Sequence, residues 1–265
     1  GSVAYKEDEG FTGGLGREYP YLLAYCGDID ITGYRRPASY YREIVFGLRA
    51  EPYIAVQHPA RHAHTLVSSP PWAWSDVVEG WSWSGFEGQP IRVEVYADGD
   101  EVELLLNGES LGVSPVGSKK ALVANFDVVY QPGQLVAVAK RAGVEVSRWS
   151  IESPAGEPQL VVEIDSKTLL GDGQDVAHVD ISFRDAKGSL FNLVDDEVTV
   201  EVSGAGVLAA LGTSNPSTDT RLDSTVVSAF DGRALAVVRA TGHGEIVIAV
   251  SSKAHGSKTL SIIAA

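Results

Sequence analysis

Four tryptophans, Trp72, Trp74, Trp81 and Trp83, crowd into one Pro-, Ser- and Gly-rich stretch of this 265-residue chain. Indole rings stack on the apolar C–H faces of sugars. The W-x-W spacing puts both rings of a pair on one side of an extended backbone. Indoles also bury large areas, so packing of the loop onto a domain core is the competing reading. Asp28 and Asp30 stand two apart behind Cys26-Gly27, with Arg35 and Arg36 downstream. Such carboxylates can meet a substrate or an ion, or one of them can cap a turn or pair with Arg35 or Arg36. His58, His62 and His64 have metal-like spacing, but no carboxylate or cysteine pattern completes the four ligands of a structural zinc. Asp165, Asp172 and Asp175, with Gly171 and Gly173, do not follow the twelve-residue calcium loop, and turn chemistry explains them better. No metal site is therefore expected. No cofactor is expected either: the chain lacks a phosphate-cradling loop, paired dinucleotide glycines and a G-x-S-x-G elbow.

The elements that must position these residues are almost all strands. Pro37 fits the first position of a helix, where its missing N–H costs nothing. From Ser39, the residues Tyr41, Ile44 and Val45 or Leu48 recur at helical spacing and predict one apolar face. No second helix is predicted. Runs at Pro52–His58, Ile91–Ala97, Val102–Leu106, Ser110–Val116, Ala121–Tyr130, Gln134–Lys140 and Val144–Glu152 are separated by Asp98-Gly99, Asn107-Gly108 and Pro132-Gly133. These dipeptides supply the turn geometry of tight hairpins. Short strands at this spacing predict an immunoglobulin-like sandwich. Ser153-Pro154-Ala155-Gly156-Glu157-Pro158 reads as a linker, after which the rhythm restarts from Gln159–Asp165 to Ser257–Ile263. The expected organisation is a loop or poorly ordered segment over 1–24, a turn and helix over 25–48, and sandwiches over 49–153 and 157–265. A lone helix ahead of an all-β chain reads as the tail of a larger domain.

Composition narrows the partners. The formal net charge of −14, with no basic stripe to offset it, argues against nucleic acid and anionic membranes. No apolar run approaches a membrane-spanning helix. A single cysteine, Cys26, excludes an intrachain disulfide and a cysteine zinc cluster, and leaves the compartment open. The Gly-Ser opening and the absence of methionine are expected of a segment excised from a longer polypeptide.

The stretch YCGDIDITGYRRPASYYREIVFG, Tyr25–Gly47, resembles the last strand-to-helix segment of the catalytic (β/α)8 barrel in bacterial glycoside hydrolase family 2 enzymes of the β-galactosidase type. The Trp-rich WAWSDVVEGWSWSGFEGQPIRVEVYADGDEVELLLNGESLG is similar to the domain that follows the barrel, and YQPGQLVAVAKRAG and ESPAGEPQLVVEID continue it. GDGQDVAHVDISFRDAKG, LAALGTSNP and GRALAVVRATGHGEIVIAVSS resemble the final sandwich. The resemblance spans residue 21 to the end. It implies a mostly β chain, two immunoglobulin-like β-sandwiches in tandem, preceded by a short turn-helix remnant of a (β/α)8 barrel. It also implies a parent that hydrolyses terminal β-galactosides with retention, through two barrel glutamates roughly 5 Å apart. Glu7, Glu9 and Glu18 stand in no such context, so no catalytic residue is assigned. Asp28, Asp30 and Arg35 would sit where a barrel strand ends, the active-site end of such barrels. Without the barrel, the helix should be exposed or repacked.

The first functional expectation is thus a non-catalytic C-terminal region that supports the barrel of a β-galactosidase-like enzyme. Its partners would be the remainder of that enzyme, carbohydrate, or a second copy of the chain. The alternative is a carbohydrate-binding or adhesin-type tandem module with no hydrolase activity.

Overall fold

A computed structural model describes residues 3–7, 19–21, 26–69 and 73–265. The chain divides into two compact units, Gly1–Ser153 and Pro154–Ala265.

The first unit contains strands Ala4–Tyr5 (β1), Tyr53–Val56 (β2), Leu66–Ser68 (β3), Pro90–Tyr96 (β4), Glu101–Leu106 (β5), Glu109–Pro115 (β6), Val123–Val129 (β7), Gln134–Arg141 (β8) and Val144–Glu152 (β9), with one α-helix, Pro37–Val45 (α1). A three-stranded sheet, β2-β4-β7, faces a four-stranded sheet, β6-β5-β8-β9, and β1 pairs separately with β3. Strand alternation builds the core. Val102, Leu104 and Leu106 of β5 point inward with Ile91, Val93 and Val95 of β4, while Glu101, Glu103 and Leu105 stay partly exposed. The β5–β6 hairpin turns on Asn107 and Gly108, both at positive φ (53° and 87°), the two-residue geometry that matches strand twist.

The outer face of β2-β4-β7 is also apolar: Tyr53, Ala55, Tyr96 and Val123 lie on it, and α1 covers them through Ile44, Tyr40 and Tyr41. Tyr40 stacks on Tyr53 at 4.0 Å between centroids and 8° between planes. Of the two outcomes expected for the helix, exposed or repacked, the structure shows it packed on the sandwich. Its face is corrected. Ala38 and Ile44 are buried and Tyr41 is half-buried, but Val45 and Leu48 are exposed. The nine-residue helix ends at Val45, so Leu48 falls beyond the register that would align it.

Part of the expected 1–24 loop falls outside the described residues. Within them, Tyr5 of β1 is buried, and Lys6 N donates to Thr65 O at 2.9 Å. The sequence missed β1 and β3 because runs of two and three residues carry no period; only their pairing defines them.

The second unit contains Gln159–Ile164 (β10), Thr168–Leu169 (β11), Val176–Arg184 (β12), Glu197–Gly204 (β13), Gly206–Gly212 (β14), Val226–Ser228 (β15), Arg233–Ala240 (β16), Gly244–Ser252 (β17) and Gly256–Ala264 (β18). Sheets β10-β12-β16-β14 and β11-β18-β17-β13-β15 enclose a core that includes Val179, Ile181, Phe183, Leu211, Ile246, Ile248 and Val250. Every pairing is antiparallel except the short β11–β18 contact. Asp185 ties the linker to this sandwich: its carboxylate accepts from Ala155 N at 3.0 Å, Lys187 N at 2.9 Å and Ser189 N at 2.8 Å. Among the described residues, no helix of either unit is long and apolar enough to cross a membrane.

Candidate functional site

The polar candidates of the N-terminal turn are engaged locally. Asp30 Oδ1 accepts from Thr32 N (2.9 Å), Thr32 Oγ1 (2.7 Å) and Tyr34 N (3.1 Å). An aspartate two and four residues ahead of its donors closes the chain on itself in this way. Asp28 pairs with Arg42 on α1, and Asp28 O accepts from Arg36 N at 2.8 Å. Arg35 turns away from both aspartates. It meets Glu43 at 3.0 Å, donates through Nε to Ser39 Oγ at 2.9 Å, and lies 4.1 Å over the Tyr40 ring. Together these contacts fasten the turn to the helix.

The tryptophans separate. Trp72 lies outside the described residues. Trp81 and Trp83 are 1% and 0% exposed and belong to the sandwich core, so neither offers a ring face to a sugar. Trp81 Nε1 donates to Gln131 O at 2.9 Å, and Trp83 N donates to Tyr130 Oη at 3.0 Å. For this pair the burial tendency of large aromatics prevails over the platform reading. Trp74 is half-buried in a different place, against the helix-covered face. Its Nε1 donates to Tyr96 Oη at 2.7 Å, and the Tyr96 hydroxyl donates to Glu94 Oε2 at 3.2 Å. Tyr41 lies 4.7 Å from the Trp74 ring, and the Lys120 ammonium sits 3.1 Å from its centroid. A cation over an indole face is attracted by the ring quadrupole, and here it covers that face.

Two polar networks were not singled out in the sequence. In the first, burial raises the Glu94 carboxyl above its ordinary value, and the Ser75 and Tyr96 hydrogen bonds offset this only in part. Burial, then the nearby Glu94 charge, raises the Tyr96 hydroxyl too. The signal was available: Glu94 is a carboxylate inside the β-branched run IRVEVY, on the face opposite Val93 and Val95. The second network joins β1 to the histidine loop. Gln57 Nε2 donates to Tyr5 Oη at 2.8 Å, Arg61 pairs with Asp76 at 2.8 Å, and Glu7 accepts from Thr65 N and Oγ1 at 2.9 and 3.0 Å. Burial and Asp76 raise the Tyr5 hydroxyl. His58 caps the short turn Pro59–Arg61, with Nδ1 accepting from Ala60 N at 3.2 Å, and its ring lies 4.9 Å from Trp83. Burial, then Arg61, lowers its pKa. Among the described residues, no group of three or more His, Cys, Asp or Glu side chains is placed to hold a metal ion.

The polar candidates thus fasten elements of the first sandwich together. The comparisons show what the chain is similar to. Residues 160–261 match Glycoside hydrolase family 2 C-terminal domain 5, and residues 88–147 match a domain of unknown function, DUF4982. Beta-galactosidase BoGH2A of Bacteroides ovatus is 32% identical over 164 residues, covering 61% of this chain and 19% of that protein. The crystal structure of a glycosyl hydrolase family 2 member from Bacteroides cellulosilyticus superposes with a TM-score of 0.80 at 29% identity, covering 91% of this chain and 32% of that one. A family 2 beta-glucuronidase shares the fold at 18% identity, with a TM-score of 0.72 over 90% of this chain and 22% of that one. The chain spans about a fifth of the curated relative and about a third of the first solved structure. It is similar to the C-terminal regions of glycoside hydrolase family 2 proteins.

Proposed function

We propose that this chain is the supporting, non-catalytic C-terminal region of a family 2 glycoside hydrolase whose catalytic domain performs retaining hydrolysis of terminal β-galactosides. The observation that carries this reading is the joint match: nearly the whole chain superposes on a family 2 hydrolase about three times its length. The local geometry agrees. Asp28, Asp30 and Glu43 are committed to Arg42, to a turn and to Arg35, whereas double displacement needs two facing carboxyls free to reach the sugar. The sugar follows from the relative named a beta-galactosidase, and the fold is shared with an enzyme named for glucuronides. Both substrates therefore belong in the test. The chain alone should leave aryl β-galactosides and β-glucuronides unhydrolysed, while the longer polypeptide that carries it turns over the galactoside. Turnover by the chain alone, abolished by a single carboxylate substitution, would overturn the reading.

Direct carbohydrate contact is a second proposal. It is left to Trp72 and to the part of Trp74 that Lys120 and Tyr41 do not cover, since Trp81 and Trp83 are buried. Intrinsic fluorescence titrated with galactose, lactose and longer oligosaccharides tests it, and a flat response at high sugar concentration removes it. Assembly through a second copy is read by light scattering.

A further inference from the structure

Strand β9 ends its sheet. In the order β6-β5-β8-β9 it pairs with β8 alone, and over 147–152 that pairing runs residue for residue, from Ala139 opposite Ser147 to Gln134 opposite Glu152. Ser153 N donates to Gly133 O at 2.9 Å, which fixes the alternation. Ile151 and Trp149 turn their backbone groups to β8, while Ser150 and Arg148 turn theirs to the open side. The other edge of the sheet is guarded: β6 carries Gly112 and Pro115, and its ladder slips opposite Leu104 and Leu105. Over 148–152, β9 has no proline, glycine, lysine or bulge, and Arg148, Trp149, Ser150 and Glu152 are all exposed. An open strand edge of this kind is a template for another strand.

The side chains select which strand. Arg148-Trp149-Ser150-Ile151-Glu152 is complementary to its own reverse. Laid antiparallel on a second copy with Ser150 on the two-fold axis, Arg148 meets the second copy's Glu152, Trp149 meets its Ile151, and Ser150 meets Ser150. Opposite charges and apolar pairs directly across two strands are the stabilising combinations, whereas an axis through Arg148 or Glu152 would oppose like charges. The faces agree too. Trp149 and Ile151 share the face of Ala137 and Leu135, their core-facing neighbours in β8, and Arg148 and Glu152 share the other. Trp149 is 40% exposed, and Arg49 lies 4.7 Å over its ring. Arg148 spends Nε and Nη2 on Glu145, and a guanidinium has five N–H donors, so Nη1 is left for a second carboxylate.

We propose that 148–152 of β9 is a self-association edge whose occupant is the same strand of a second copy. The sheet would then continue across a two-fold axis with four strands from each copy, the self-complementary interface that such symmetry requires. The chain's net charge of −14 opposes self-association at long range, but one cation and one anion per copy enter this contact, so it carries no net charge of its own. The proposal gives the expected second copy a place and a register, and it does not depend on the hydrolase reading.

Sedimentation velocity of the 265-residue chain at neutral pH tests it. One strand pair is a small interface, so the dimer should be weak and emerge as concentration rises towards about 0.5 mM. Ser150→Pro removes the N–H at the axis, on the side of β9 that has no strand beside it, where proline is tolerated. It should abolish the dimer and leave the urea midpoint unchanged. Arg148→Glu sets carboxylates opposite each other at both ends of the pairing and should weaken the dimer about tenfold, and Glu152→Arg should do the same with cations. The double variant Arg148→Glu, Glu152→Arg restores opposite signs and should return the dimer to within about threefold of the parent. Loss of the exposed Arg148–Glu145 pair is common to the Arg148→Glu single and the double variant, so it cancels between them. A chain that stays monomeric at every concentration overturns the proposal. So does a dimer that survives Ser150→Pro, which would place the second copy elsewhere, and so does a double variant as weak as its singles. Should Ser150→Pro unfold the chain, the charge exchange decides alone. Glycoside turnover enters none of these readings, so either result leaves the hydrolase proposal as it stood.

Discussion

Truncation of Ile44 tests most directly whether α1 is part of the first sandwich. Ile44 is buried between the helix and the outer face of β2-β4-β7, beside Tyr53 and Tyr96. Removing a buried isoleucine to alanine costs about 2–5 kcal/mol, because the transfer free energy is lost and a cavity remains. The site is at a domain edge that can partly collapse, so the lower half of that range, about 2–3.5 kcal/mol, is expected for Ile44→Ala. Helical periodicity alone puts Val45 or Leu48 on the same face as Ile44. The structure exposes both, so Val45→Ala and Leu48→Ala should each change stability by no more than about 0.5 kcal/mol. Urea denaturation of the three variants, followed by tryptophan fluorescence, supplies the comparison. Trp74 is a useful reporter because it packs on Tyr41. A nine-residue helix is too short to persist undocked, so hydrogen exchange over 38–46 should accelerate in Ile44→Ala. A neutral Ile44→Ala, or a Leu48→Ala as costly as it, would refute the packing described here.

Three further outcomes are expected. Burial raises the Glu94 pKa in the folded state, so ionised Glu94 costs stability that is regained as pH falls through that raised value and is fully present below the ordinary value of 4.5. Glu94→Gln should remove this slope in denaturation curves taken across the acid-to-neutral range, with its advantage greatest at neutral pH; parallel curves for both proteins would contradict it. Asp185 has the opposite sign: burial alone would raise its pKa, but the backbone N–H groups of Ala155, Ser189 and Lys187 outweigh it and hold the value below 3.8. Its stabilisation is present above that value and is lost as pH falls through the lower, folded one, so Asp185→Asn should cost about 1.5–3 kcal/mol at neutral pH and expose the Ala155 amide to exchange. Gly133 has φ 139°, and a Cβ there would lie 2.0 Å from Asn107 Oδ1, so Gly133→Ala should cost about 1–3 kcal/mol by calorimetry. Adding Asn107→Ala should recover part of that loss, and a fully additive double variant would dismiss the clash as its source.

Much of this protein is local and therefore legible in its residues. Strand alternation marks the inward residues of β5. Asn107-Gly108 marks a hairpin because few other pairs accept two positive φ angles in succession. Pro37 marks the start of α1. The family resemblance is equally a property of ordered motifs along the chain. What those residues could not decide is which surface each element covers. Trp81 and Trp83 read as core more readily than as a ligand platform, and the closure of two sheets around them made them core. The helix face was legible as apolar, but its partner lies on strands that follow it in the chain, β2 and β4, and on the face of β4 that also carries Glu94. Asp28 chose Arg42 over the nearer Arg35 and Arg36 because α1 folds back beside the turn. Hydrophobic period and turn chemistry act over a few residues, whereas burial and ion pairing depend on what long-range packing brings close; that difference separates the two kinds of knowledge here.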